Sequence, residues 1–171
     1  MSPELLIDLP TRRATIHLAR KLSPLLASGD LVILEGDLGA GKTFFARALC
    51  RALGVPREER VQSPTFAIVH EHQGAALRIA HADLYRLRDP GELGPIGLRD
   101  ARAEGALLIV EWGGAHADAL GGDALMVRLA LGPPRGARVG ASGPTAAARL
   151  RDLEATWTDP RRPARPPRAP W

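Results

Sequence analysis

The eight residues from Gly36 to Thr43, GDLGAGKT, constrain this chain most, because they match the phosphate-binding pattern G-x-x-x-x-G-K-[ST]. The glycines allow the backbone to curl until successive N–H groups point at one cluster of phosphate oxygens, a turn that side chains would block. Lys42 supplies a positive charge for the outer phosphates, and Thr43 offers its hydroxyl group to a magnesium ion. The pattern therefore predicts a nucleoside triphosphate site.

The segments on either side of the loop have the secondary structure that such a loop requires. Residues 31–34 form a short continuous apolar run, which is typical of a buried parallel strand. Residues 45–53 carry apolar side chains at helical spacing, and Gly54 followed by Pro56 predicts the end of that helix. The N-terminus of the helix adds free N–H donors and a partial positive charge to the site.

The remaining apolar segments predict an α/β fold. The short turn at residues 73–75 favours an antiparallel hairpin between two strands. Expected strands lie at 4–9 (at a sheet edge), 66–71, 77–82, 106–110, 125–131 and 137–141, and further expected helices at 11–27, 99–104 and 145–154.

The formal net charge of +4 is weak evidence for nucleic-acid binding, because of where it lies. Residues 157–171 hold four arginines and one aspartate and so contribute +3, whereas residues 1–156 carry about +1. The same fifteen residues contain five prolines, a composition that predicts disorder. We therefore expect one P-loop ATPase domain over residues 1–156 and an Arg/Pro-rich disordered tail over 157–171.

Cys50 is the only cysteine, which excludes an intramolecular disulfide and a cysteine metal cluster, and no disulfide-linked partner is expected. Its position in the helix after the loop indicates a small buried hydrophobe rather than a reactive thiol. The sequence has no apolar run typical of a signal peptide or a membrane span. A soluble cytoplasmic protein without a membrane partner is the expectation.

Hydrolysis requires more than the loop, because the magnesium ion needs a carboxylate at the tip of a nearby strand. Asp83 and Glu111 each follow an apolar strand, and the residues alone leave both as candidates. Ser63-Pro64-Thr65 suits a switch segment at the terminal phosphate, and equally an ordinary turn. His81 is more typical of a strand histidine than of a base, and Trp112 is expected in the core rather than at an interface.

Four segments taken together resemble the TsaE (YjeE) family. They are the loop at 36–43, the SPTF sequence at 63–66, the HADLYRL sequence at 81–87, and Glu111-Trp112. Two further segments, DPGEL at 89–93 and IGLRD at 96–100, also follow the family pattern, so that the resemblance runs from about Leu9 to about Leu150.

The resemblance implies a P-loop NTPase fold with a central, mostly parallel sheet, antiparallel additions and helices on both faces. It implies an ATPase that is slow alone and is needed to make threonylcarbamoyladenosine in tRNAs that read codons beginning with adenine. ATP and Mg²⁺ are the implied cofactors. The implied partners are the TsaB and TsaD proteins, whose complex performs the transfer, so tRNA is expected to be an indirect partner.

The resemblance also assigns roles to individual residues. It associates Thr43 and Glu111 with magnesium, and Asp83 and Thr65 with hydrolysis. Asp83 also remains a candidate metal ligand because it directly follows a predicted strand. The expected catalytic residues are Asp83, Glu111, Thr65 and Lys42. The expected ATP contacts are Asp37, Leu38, Gly39, Ala40, Gly41, Lys42, Thr43, Phe44 and, from its place in the family pattern alone, Thr11.

The sequence departs from the family pattern at three places. Phe44 stands where a second threonine is common, Ala82 where a phenylalanine is usual, and Gly113 where a proline is common. The position of Phe44 is not a fixed phosphate ligand, so the predicted ATP site is unaffected by that change. Ala82 leaves a gap that a neighbouring side chain is expected to fill, and Gly113-Gly114 is expected to loosen the loop after Trp112.

Two alternative functions remain open on the same scaffold. A small-molecule kinase would need an arginine-bearing lid over the phosphates. Arg86, Arg88 or Arg99 could supply the charge, although no insertion of lid size is apparent. A nucleotide-dependent binding module, in which hydrolysis is incidental, is the other alternative.

Overall fold

The fold is built on a seven-stranded sheet that has four parallel strands at its centre. The structure is a computed structural model that describes residues 4–87 and 89–157. The strand order is β1-β7-β6-β2-β5-β4-β3, in which β6, β2, β5 and β4 are parallel and the outer pairings are antiparallel. The strands are β1 (Glu4–Asp8), β2 (Leu31–Glu35), β3 (Val69–Gln73), β4 (Arg78–Asp83), β5 (Leu107–Glu111), β6 (Ala124–Ala130) and β7 (Gly136–Ala141).

The apolar runs at the sheet centre follow from its two covered faces. Strands β2 and β5 are buried along nearly their whole length, so they consist of continuous Leu, Ile and Val instead of an alternating pattern. Strand β6, at the end of the parallel group, alternates more, with Arg128 exposed between buried Val127 and Leu129. The predicted α/β fold with a mostly parallel centre and antiparallel additions is confirmed.

Helices cover both faces of the sheet, as expected. They are α1 (Arg12–Leu22), α2 (Lys42–Ala52), α3 (Leu98–Ala103) and α4 (Pro144–Thr156). Helices α1, α2 and α4 pack on one face, where Leu18, Phe45 and Leu150 join one hydrophobic core. Helix α3 and the 3₁₀ segment Pro90–Ile96 contribute Leu98 and Leu93 to the core on the other face.

Two predicted boundaries are wrong, each for a local reason. The strand expected from residue 66 begins only at Val69, because Ile68 has a φ of +68° and donates its N–H to Pro64 in a turn. That turn leaves Phe66 86% exposed. The helix expected to reach residue 27 ends at Leu22, because Pro24 has no N–H to continue it.

The C-terminal part of the chain is described only as far as Trp157. That residue was predicted to begin the tail, yet its ring packs 5.4 Å from the ring of His17 and against the core. The rest of the predicted tail, residues 158–171, lies outside the described residues. Within the described part, no helix combines the length and apolarity needed to cross a bilayer.

Cys50 is fully buried on α2, in agreement with the sequence prediction. Burial raises the pKa of its thiol to about 12, so the thiolate form that reacts is not populated near neutral pH.

Arg102 on α3 joins loops that are distant in sequence. Its Nε donates to the carbonyl of Gly29 at 2.8 Å, and its Nη1 donates to those of Leu120 and Gly122, both at 2.8 Å. A longer bond of 3.4 Å reaches the carbonyl of Asp123. Since these carbonyls belong to loops without ladder partners, the guanidinium replaces the hydrogen bonds that a strand would supply.

We expect Arg102→Ala to lower the free energy of unfolding by about 2–4 kcal/mol, because several partly buried carbonyls lose their donor. Urea unfolding followed by circular dichroism measures this. The matched control is Arg99→Ala, an exposed position on the same helix, for which we expect a change within about 0.5 kcal/mol. If both variants changed the free energy of unfolding by the same small amount, the hydrogen bonds of Arg102 to these loops would not stabilise the fold as we expect.

Candidate functional site

The predicted phosphate loop connects β2 to α2 in the expected order. Gly36, the first residue of the pattern, has a φ of +133°, and a Cβ atom there would lie 2.3 Å from the carbonyl oxygen of Leu129 on β6. Only glycine fits both the dihedral angle and the close approach of the neighbouring strand. The loop conformation is therefore tied to the sheet beneath it.

Lys42, at the start of α2, is 5% exposed and points back into the loop. Its Nζ donates to the carbonyls of Gly36 at 2.5 Å and Asp37 at 2.9 Å. Burial lowers the pKa of Lys42, and nearby carboxylates, Glu111 and Glu35 foremost, oppose that shift by attraction. The ammonium group is thus held at the loop by neutral carbonyls.

Glu111, at the end of β5, is the buried acid nearest to the loop helix. Its Oε2 accepts a 2.8 Å hydrogen bond from the hydroxyl of Thr43, the residue after Lys42. Its Oε1 lies 2.9 Å from Nε2 of His81 on the adjacent strand β4. Glu111 is 2% exposed and His81 is fully buried, so both carboxylate oxygens have a fixed partner.

Asp83, at the end of β4, lies beside Glu111 in the parallel register of β4 and β5. Its Oδ2 accepts hydrogen bonds from the hydroxyls of Thr65, at 3.0 Å, and of Ser63. Its Oδ1 accepts the backbone N–H of Tyr85 at 3.0 Å. The Ser-Pro-Thr segment is therefore held against Asp83 at this edge of the sheet.

The two acids lie at one edge of the sheet because parallel strands end together. Oxygen donors of the kind that Mg²⁺ prefers are thus adjacent, a threonine hydroxyl and a buried carboxylate. Among the described residues, no group of three or more His, Cys, Asp or Glu side chains is arranged to hold a metal ion. This fits magnesium in a triphosphate site, because the ion there takes one or two protein ligands and completes its shell with phosphate oxygens and water.

A cleft of about 270 Å³ opens on the other side of the loop. It is bounded by Gly39, Ala40 and Gly41 from the loop, by Phe44 from α2, and by Arg135 from the turn between β6 and β7, among others. The Nη2 of Arg135 lies 3.4 Å from the carbonyl of Ala40. The predicted contacts Gly39, Ala40, Gly41 and Phe44 are thus brought together around one opening.

Other predicted contacts are placed differently. Asp37 and Leu38 lie at the exposed tip of the loop, and Leu38 is 76% exposed. The hydroxyl of Thr11 accepts the N–H of Ala14 as the N-cap of α1. Its neighbour Arg12 lines the cleft.

The predicted core position of Trp112 is wrong, and the site roles of His81 and Arg135 were not predicted. Trp112 is half-buried, and its ring centroid lies 3.7 Å from Nζ of Lys42, so it belongs to the loop rather than to the core. His81 was predicted to be an ordinary strand histidine. Its place two residues before Asp83, at the end of a predicted strand, could have indicated that it lies at the site. Arg135 lies in a turn with no motif, and no sequence signal pointed to it.

We expect Gly36→Ala to lower the free energy of unfolding by about 2–4 kcal/mol, through overpacking against Leu129 and backbone strain. We also expect Mg-ATP to raise the melting temperature of the wild type but not that of the variant, because the loop of the variant cannot keep its shape. Thermal unfolding with and without Mg-ATP measures both effects.

The control for this experiment is Gly94→Ala, where an added Cβ meets open space. Its melting temperature and its response to Mg-ATP should follow the wild type. A Gly36→Ala protein that melts and binds like the control would refute the steric argument.

Comparison with known proteins is consistent with this geometry. The sequence profile described as "Threonylcarbamoyl adenosine biosynthesis protein TsaE" matches residues 9–134. A tRNA threonylcarbamoyladenosine biosynthesis protein TsaE from Rickettsia conorii is 38% identical over 104 residues, which are 61% of this chain and 58% of that protein. The protein of the same name from Streptomyces coelicolor is 41% identical over 116 residues, 66% of this chain and 76% of that one.

Among solved structures, the crystal structure of YdiB from Bacillus subtilis superimposes with a TM-score of 0.76 at 26% identity. The match covers 91% of this chain and 97% of YdiB. The chain thus spans between about three fifths and three quarters of these two curated relatives, and nearly all of the solved structure.

Proposed function

The chain belongs to the TsaE family, and from this membership and the site geometry we propose that it is a magnesium-dependent ATPase. It serves as an accessory factor in the threonylcarbamoyladenosine modification of tRNAs that read codons beginning with adenine. The observation that carries the proposal is the buried carboxylate of Glu111, joined to Thr43 at the N-terminus of the loop helix.

ATP binding follows from the loop and the cleft beside it. The triphosphate lies along the loop, with the ammonium of Lys42 against its outer oxygens. The cleft bounded by Phe44 and Arg135 receives the rest of the nucleotide, since it opens directly beside Gly39–Gly41. Arg135 and Arg12 are the cationic side chains that line the cleft on that side.

Thr43 and Glu111 are the residues that would hold the magnesium ion. When bound, the ion neutralises charge on the phosphate oxygens and orients them. Four carboxylates, of Glu111, Glu35, Asp83 and Asp37, act electrostatically on Lys42, so the site has an excess of negative charge that a divalent cation offsets. His81 keeps Glu111 aimed at the ion through its bond to Oε1.

Asp83 and Thr65 act on the attacking water. Because Thr65 donates its hydroxyl proton to Asp83, its oxygen can only accept, and beside the 2.7 Å contact with the hydroxyl of Ser63 it keeps one lone pair for a hydrogen bond from the water. Asp83 is 6% exposed and is itself held by the N–H of Tyr85, so this pair is oriented before substrate binds.

A protein partner accounts for the apolar side chains exposed around this edge. Leu38 and Phe66 are 76% and 86% exposed, and Tyr85 is 55% exposed, all on loops that flank the site. TsaB and TsaD are the partners that family membership suggests. Contact with these loops would position Asp83 and the Ser-Pro-Thr segment against the bound triphosphate and raise the rate of hydrolysis.

We expect slow phosphate release by the isolated protein and a rise of at least about tenfold when TsaB and TsaD are added together. Glu111→Ala should keep ATP binding but lose turnover, whereas Lys42→Ala should lose binding itself. Phosphate release and equilibrium binding of a fluorescent ATP analogue separate the two effects.

Three results would count against the proposal. Phosphate release that stays flat with both proteins present would remove the proposed partners. Unchanged turnover in Glu111→Ala would remove the assigned metal ligand. A phosphorylated small molecule in place of free phosphate would favour the kinase alternative.

The role of His81 is tested by its effect on magnesium rather than on overall activity. We expect His81→Ala to raise the Mg²⁺ concentration for half-maximal hydrolysis by about 10–100-fold, because Glu111 loses the partner of its Oε1. His81→Gln can present an amide N–H near the position of Nε2, and we expect it to restore most of the affinity. A loss of maximal rate at unchanged Mg²⁺ dependence would assign His81 to folding instead.

A further inference from the structure

A groove of about 490 Å³ lies between α1, α2 and the connector that follows α2. Apolar residues such as Ile16 on α1 and Ala52 on α2 line it. Every charged residue that lines the groove is an arginine: Arg20, Arg47, Arg51 and Arg57.

The two helices that form the groove contain no acidic residue. Helix α1 carries Arg12, Arg13, Arg20 and Lys21, and helix α2 carries Lys42, Arg47 and Arg51. The near-neutral charge of residues 1–156 concealed this asymmetry, because acids elsewhere in the chain balance it. The basic character of the chain therefore does not lie in the tail alone, as its composition suggested, but also on this face of α1 and α2.

Two of the groove arginines are fixed in place without losing their charge. The Nε of Arg47 donates to the carbonyl of Val61 at 2.8 Å. The Nη1 of Arg51 donates to the carbonyl of Pro56 at 2.6 Å. Since these acceptors are neutral, the guanidinium groups remain available to a carboxylate, and little side-chain entropy is lost when they pair.

We propose that this groove docks an acidic amphipathic helix of a partner protein. The apolar side of such a helix packs on the groove floor, and its carboxylates pair with the four arginines. A nucleic-acid backbone would satisfy the arginines but would leave the apolar floor against charged phosphates. An apolar floor bordered by four arginines therefore favours a protein helix over RNA as the occupant of this groove.

Phe44 gives the docked helix a connection to the nucleotide. Its side chain lines both this groove and the cleft beside the phosphate loop, and it directly follows Thr43. A helix in the groove therefore contacts the first turn of α2, which presents Lys42 and Thr43 to the triphosphate. The docking proposal goes beyond the ATPase proposal and does not depend on which protein supplies the helix.

The test uses the full chain and three fluorescently labelled probes, followed by fluorescence anisotropy. One probe is a helical peptide of about 18 residues with leucines on one face and glutamates on the flanks. The second is the same composition scrambled, which keeps the charge and loses the apolar face. The third is a single-stranded RNA of equal length.

We expect the amphipathic peptide to bind at least about tenfold more tightly than the scrambled peptide. The charge reversal Arg20→Glu/Arg57→Glu should weaken it at least about tenfold. Both residues are exposed, and the matched control Arg99→Glu/Arg128→Glu changes two exposed arginines elsewhere and should leave binding unchanged.

Ala52→Arg separates the two kinds of occupant, because it blocks the groove while adding positive charge. An amphipathic helix should lose affinity for this variant, whereas RNA should keep or gain it. The proposal is overturned by equal binding of both peptides, by RNA binding that alone depends on Arg20 and Arg57, or by no peptide binding at millimolar concentration. Thermal unfolding of each variant shows whether a loss of peptide binding comes from the substitution itself or from an unfolded protein.

Discussion

The buried carboxylate of Glu111 is the constraint on which this site depends. An ionised side chain that is 2% exposed is costly to desolvate unless each oxygen has a partner. Thr43 and His81 provide those partners from a helix and from the neighbouring strand. The position of α2 against the sheet and the pairing of β4 with β5 are therefore both needed to keep this charge inside the protein.

The same requirement explains the order of the strands. Strand β4 pairs in parallel with β5, and β5 with β2, so that the ends of all three meet beside the phosphate loop. This arrangement brings His81, Asp83, Glu111 and the loop to one edge, although about 75 residues separate the first loop glycine from Glu111. A register shift of one residue on β4 would turn His81 away from Glu111 and into the hydrophobic core on the other face of the sheet.

Features formed within a short stretch of sequence were predictable, whereas contacts that depend on packing between distant segments were not. The loop was predictable because glycine, lysine and threonine act there within eight residues, and Asp83 and Glu111 because each follows its own apolar strand. Trp112 was misjudged because its backbone has a φ of +60°, which turns the ring toward Lys42, and no pattern encodes that turn. The arginine-lined groove could not be predicted from the sequence because its residues come from α1 and α2, which meet only in the folded protein.

The contact between Trp112 and Lys42 has an optical consequence. An indole ring is a fluorophore whose emission responds to nearby charge, and here an ammonium group lies 3.7 Å from its centroid. A phosphate that draws this ammonium toward itself changes the field at the ring. Binding of a triphosphate at this loop would therefore change the fluorescence of Trp112 without any label attached to the protein.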